Sequence, residues 1–222
     1  MKTSDPARRR ANAVVYNDLR EKLLAGEFRA GEWISVEETS RQFKVSRQPV
    51  MEAMRRLSSD WLIEIVPQVG CRVASYDDRS IDDFMNTFAN LEAHIAELAA
   101  ERRTPKQLQK VKRLETQICR RSHFDETVAV LGREYHAAIL ESSHSAVLPR
   151  LCDQLWSFSN FVFRNISANG IGDEVFERSN AVMKRLTSAI EARDGKLALI
   201  EMRTWLTSLD GSADRQSAQQ AA

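Results

Sequence analysis

No stretch of this 222-residue chain approaches the roughly 20 consecutive apolar residues that a bilayer-spanning helix needs. Its opening, MKTSDPARRRANAVV, places charge where a secretory leader would carry an apolar run, so a cytoplasmic protein with no membrane partner is expected. Cysteine is scarce. Cys71, Cys119 and Cys152 are odd in number and far apart, and without a C-x-x-C pair they read as free structural thiols rather than zinc ligands or a redox couple. The signatures of common enzymes are also missing: there is no Gly-rich phosphate loop, no G-x-S-x-G and no H-E-x-x-H, and an enzyme is not expected. Net charge is nearly absent at +1, but it is unevenly spread. Residues 1–75 hold 13 Lys and Arg against 10 Asp and Glu, whereas the remainder holds 19 against 21, a mild basic bias at the N-terminal end.

What is present is mostly helical periodicity. Val14, Val15, Leu19 and Leu23 recur at helical spacing, and Gly26 and Gly31 punctuate the turn beyond them. Ser35 can cap a helix starting at Val36, with Glu38 in capping-box position, and that helix ends near Phe43. A further helix from Ser46 to about Ser59 tolerates Pro49 in its first turn. LIEIVPQVGCRVAS then reads as two short strands around a turn, Pro67 to Gly70. Helix, helix, turn, helix, hairpin is the order of a winged helix-turn-helix. The fold class expected is therefore mainly α, with this N-terminal unit (1–75) followed by an all-helical bundle (80–210) and a disordered tail (211–222). Thr104 and Pro105 cap and open one of the bundle helices, and further helices are expected at about 125–141, 145–165, 173–193 and 196–209.

VEETSRQFKVSRQPVMEAMRRL is the most specific segment. The second helix of a helix-turn-helix enters the major groove, so its first turn must offer hydrogen-bonding side chains while its inner face packs. Val45, Val50, Met54 and Leu57 can face a core, leaving Ser46, Arg47 and Gln48 for base edges and phosphates. Arginine can grip guanine and glutamine adenine. A small helical hairpin with a solvated charged end fits the same pattern.

Residues Tyr16 to Ala74, through LLAGEFRAGEWIS, KVSRQPVMEAMRRL and LIEIVPQVGCRVA, resemble the DNA-binding domain of the GntR family of regulators, and the following helical segment resembles that family's FCD, or FadR-type, effector domain. The resemblance implies a sequence-specific transcription regulator, a homodimer on a palindromic double-stranded DNA operator, whose affinity answers to a small molecule. It carries over Arg47 and Ser46 as DNA residues, puts Gly70 at the wing tip, where backbone can approach DNA, and places Arg72 for a phosphate contact. Two positions depart from the family: Met51 stands where it often has arginine, and Val69 where it has a basic or polar residue. Arg8, Arg9 and Arg10 read either as a compensating flexible arm or as a disordered tail.

Many FCD domains hold a divalent metal through one Asp and three His, and the metal holds a carboxylate effector. In LGREYHAAILESSH the first His is kept as His136, but Gly132 stands where the Asp belongs. The other His positions fall on Met183 and Trp205, and the usual carboxylate-anchoring arginine falls on Phe88. The resemblance thus implies no metal or other cofactor and an apolar or aromatic effector, met by Phe88, His136, Met183, Trp205 and Trp156. Trp156 comes from the aromatic run Trp156, Phe158, Phe161 and Phe163, which cannot all face one side of a helix. The alternative is an effector-independent DNA-binding dimer whose cavity has filled with side chains.

Overall fold

In a computed structural model, which describes residues 6–166 and 172–209, the chain divides into two compact units. One runs up to Asp77 and takes in part of a later helix from Gln154 onward; the other holds Asp78–Asp153 and the last helices.

The first unit begins with α1 (Pro6–Ala25), β1 (Trp33–Ile34), α2 (Val36–Phe43), α3 (Arg47–Ser59), β2 (Ile63–Val66) and β3 (Gly70–Val73). Val15, Leu19 and Leu23 of α1 meet the inner face of α3, where Val50, Ala53, Met54 and Leu57 are fully enclosed. The turn between α2 and α3 is made by Lys44 in the left-handed region (φ 53°), and Ser35 Oγ caps α2 by accepting from Glu38 N at 3.2 Å. Tyr16 joins α1 to the end of α3: its hydroxyl donates to Asp60 Oδ2 at 2.6 Å, and the Arg56 guanidinium lies 3.7 Å over its ring.

Two details differ from the sequence reading. The wing is a three-stranded antiparallel sheet in the order β1-β3-β2, because Trp33–Ile34 adds an edge strand too short for alternation to reveal. Gly70 pairs with Val66 as the first residue of β3, so the hairpin turn is Pro67–Val69, with Gln68 at φ 63°. Gly70 itself has φ 155°, a conformation that side chains disfavour even though a Cβ there would meet nothing closer than 3.6 Å.

The second unit contains α4 (Asp78–Arg102), α5 (Pro105–Cys119), α6 (Glu126–Ser142), α8 (Asp173–Ala192) and α9 (Gly195–Leu209); α7 (Leu148–Ile166) has its first turns here and its remainder in the first unit. Buried Ala89, Ala93, Ala96, Ala99 and Ala100 let neighbours approach α4 closely, and α9, α6 and α8 all pack on it. The Thr104 cap is a full capping box: Thr104 Oγ1 accepts from Gln107 N while Gln107 Oε1 accepts from Thr104 N. The 211–222 tail lies outside the described residues, and among those described no helix is long and apolar enough to cross a membrane.

Candidate nucleic-acid interface and effector site

Ser46, Arg47 and Gln48 form the exposed start of α3. Ser46 is its N-cap residue, but its hydroxyl makes no capping hydrogen bond and faces outward with the other two. Arg47 is 72% exposed and reaches back to Glu37 on α2, 2.6 Å away. A surface pair of this kind costs little to open, so the guanidinium can exchange a carboxylate for phosphate or guanine. On the wing, Arg72 spans to its cross-strand partner Glu64, with Nε and Nη2 at 2.8 and 2.7 Å from Oε2. Gly70 and exposed Val69 lie at the adjoining turn.

Arg8, Arg9 and Arg10 are not a flexible arm. They belong to α1, whose first turns are held against α3 by an Arg8–Glu52 ion pair and by Asn12 Nδ2 donating to Glu52 Oε2 at 3.3 Å. Helical periodicity could not reveal this, since the three arginines carry no apolar repeat.

In the helical unit, Phe88 on α4, His136 on α6, Met183 on α8 and Trp205 on α9 are each at most 5% exposed. His136 and Trp205 stack, with ring centroids 4.8 Å apart and planes 21° from parallel, and Tyr135 meets Trp205 edge-on at 5.9 Å. Trp205 Nε1 donates to Ser179 Oγ at 2.7 Å, and the Tyr135 hydroxyl is 2.8 Å from Thr187 Oγ1. Phe88 stacks on Phe84, one turn earlier, at 5.8 Å.

Sequence reasoning missed Glu92. It lies one turn after Phe88 on the same face of α4, is 1% exposed, and accepts from His136 Nδ1 at 3.2 Å. The signal was a carboxylate inside an otherwise apolar helical stripe. Burial lowers the His136 pKa against the opposing pull of Glu92.

The donor set does not suit a divalent ion. Met183 offers a thioether, the Trp205 indole nitrogen is a hydrogen-bond donor without a usable lone pair, and among the described residues no group of three His, Cys, Asp or Glu is arranged to hold a metal. Where the family has its Asp, a Cβ added at Gly132 would meet nothing within 4 Å, so neighbouring side chains have not refilled that position.

Trp156 lies in the part of α7 grouped with the winged unit, as do Phe158 and Phe161. Phe158 there meets Trp61 at 5.5 Å and Tyr76 at 5.1 Å, both edge-on. The side chain of Phe163 lies outside the described residues.

The sequence profile described as "Bacterial regulatory proteins, gntR family" matches residues 11–73, and that of the FCD domain matches residues 83–208, more than half of the chain. The chain belongs to the GntR family. It is a transcription regulator of the FCD group. Among its relatives, this GntR regulator is 26% identical over 149 residues to the uncharacterized HTH-type transcriptional regulator YdhC of Bacillus subtilis, spanning 66% of each chain and so just under two thirds of that relative. It is 24% identical over 199 residues to the HTH-type transcriptional repressor GlaR of Escherichia coli, covering 86% of this chain and 90% of that one. Its fold matches that of E. coli McbR/YncC with a TM-score of 0.72 at 21% identity, over 96% of this chain and 99% of the other.

Proposed function

We propose that this GntR regulator binds a palindromic double-stranded operator as a homodimer, through the start of α3 and the wing, and that a small apolar or aromatic effector bound without metal among α4, α6, α8 and α9 sets its operator affinity. The observation that carries the DNA reading is the division of α3 into two faces. Val50, Met54 and Leu57 anchor one side in the core while Ser46, Arg47 and Gln48 stand exposed on the first turn. Arg72 supplies a backbone contact from the wing. Arg47→Ala is expected to abolish specific binding and leave the oligomeric state unchanged; operator affinity equal to wild type at fixed salt would refute this placement.

The effector reading rests on the aromatic character of the buried cluster, with few metal-ligating side chains, and on the space beside Gly132. His136, oriented by Glu92, supplies its polar anchor. The tight enclosure of Phe88, Met183 and Trp205 favours a second reading, an effector-independent dimer with a filled domain. A thermal-shift screen of carboxylates, acyl thioesters and aromatic acids, each with divalent metal and with chelator, separates the two. Stabilisation by an apolar or aromatic compound that survives chelator supports the metal-free sensor, stabilisation that requires metal refutes it, and no response supports the filled domain.

A further inference from the structure

α1 and α3 meet at a polar junction that ties Gln48 to residues the general DNA reading does not use. Gln48 and Glu52 are one turn apart on the same face of α3, and Arg8 and Asn12 are one turn apart on α1. The Arg8 guanidinium bridges both α3 residues. It is ion-paired with Glu52, and its Nη1 and Nη2 lie 2.9 and 3.0 Å from the Gln48 amide oxygen, the orientation that gives each donor an acceptor. The second Glu52 oxygen takes the Asn12 amide at 3.3 Å.

This arrangement changes what Gln48 can offer DNA. Gripping adenine requires the glutamine oxygen to accept from the base N6 amine while the amide NH2 donates to N7. With its oxygen turned toward two guanidinium N–H groups, Gln48 presents only donors outward. Donors match guanine best, through O6 and N7, or thymine, through O4; adenine offers them only N7, beside an N6 amine left without an acceptor. Arg8 also offsets the Glu52 carboxylate, which would otherwise repel phosphates at this helix.

Resting on the α3 reading above, we propose that Arg8 is a positioning residue for base recognition: it fixes Gln48 as a donor and directs its base position toward guanine or thymine and away from adenine.

The test is selection of randomised duplexes by the full-length protein, by Gln48→Ala, Arg8→Ala, the double variant Arg8→Ala/Glu52→Ala, and Arg47→Ala, each checked for a native melting transition. Gln48→Ala is expected to make one position per half-site degenerate, which locates the base it reads. At that position wild type should favour guanine or thymine, and both Arg8 variants should gain preference for adenine by roughly fivefold or more. The double variant, having lost the uncompensated acid, should show the altered preference with overall affinity closer to wild type. An unchanged preference in both Arg8 variants, a wild-type preference for adenine, or no altered position in Gln48→Ala overturns the proposal. If wild type selects a site and Arg47→Ala does not, such a result overturns the role of Arg8 alone; if wild type selects no sequence, or Arg47→Ala selects as well as wild type, the α3 reading falls with it.

Discussion

His136 Nδ1 on α6 and Glu92 Oε2 on α4 lie 3.2 Å apart with both side chains almost wholly enclosed. Glu92→Ala leaves the buried imidazole without this partner and is expected to cost about 1–3 kcal/mol. Glu92→Gln, which keeps one acceptor oxygen, should lose less. Denaturant midpoints of the two variants check this, and equal losses would show that the site reads only the volume of the side chain.

Gly132 sits inside α6 with open space where its Cβ would be. Gly132→Ala is therefore expected to stabilise the protein by about 0.5–1 kcal/mol, through the lower entropy of the unfolded chain and better helix propensity. A lower melting temperature would show that the space is not free. The same variant should weaken any effector that occupies this position.

Trp205 combines a stack on His136 with a hydrogen bond to Ser179. Trp205→Ala removes one of the largest buried side chains of the helical unit and should cost about 3–5 kcal/mol. Ser179→Ala strands only the indole N–H and should cost about 1–3 kcal/mol, readable by calorimetry.

All three tyrosines, Tyr16, Tyr76 and Tyr135, have pKa values raised chiefly by burial, Tyr16 to about 12. The folded state therefore holds them neutral where the unfolded chain ionises near 10. Their contribution is complete below that pH and declines as pH rises from about 10 toward and beyond about 12. Absorbance at the tyrosinate band should lag a model tyrosine and rise together with loss of helical circular dichroism. Ionisation of Tyr16 or Tyr135 near pH 10 in the folded protein would contradict the burial of these two side chains. Tyr16→Phe should flatten part of the alkaline slope.

Burial likewise raises the thiols of Cys71, Cys119 and Cys152, the last two to about 11 and 12. Little thiolate exists at pH 8, so a disulfide reagent should react slowly with the native protein and titrate three thiols after denaturation. A fast-reacting native thiol would locate an opening near it.

The sequence by itself determined the elements and their class. Apolar residues at helical spacing, the caps at Ser35 and Thr104, and the turn-bounded strands near Gly70 are local signals, and local backbone and capping energetics act on them directly. Helical period placed Phe88 on an inward face, whereas His136, Met183 and Trp205 were singled out by the family resemblance; all four are buried. Only the tertiary structure decided the pairs. Glu92 finds His136 across 44 residues of chain, and Arg8 reaches Gln48 and Glu52 from a different helix. It was tertiary packing too that grouped Trp156 with the winged unit and let two residues, Trp33 and Ile34, become a strand. Periodicity records which face of an element is apolar; it carries no information about which polar group will meet another once those faces close, and partner choice between distant side chains is set by that closure.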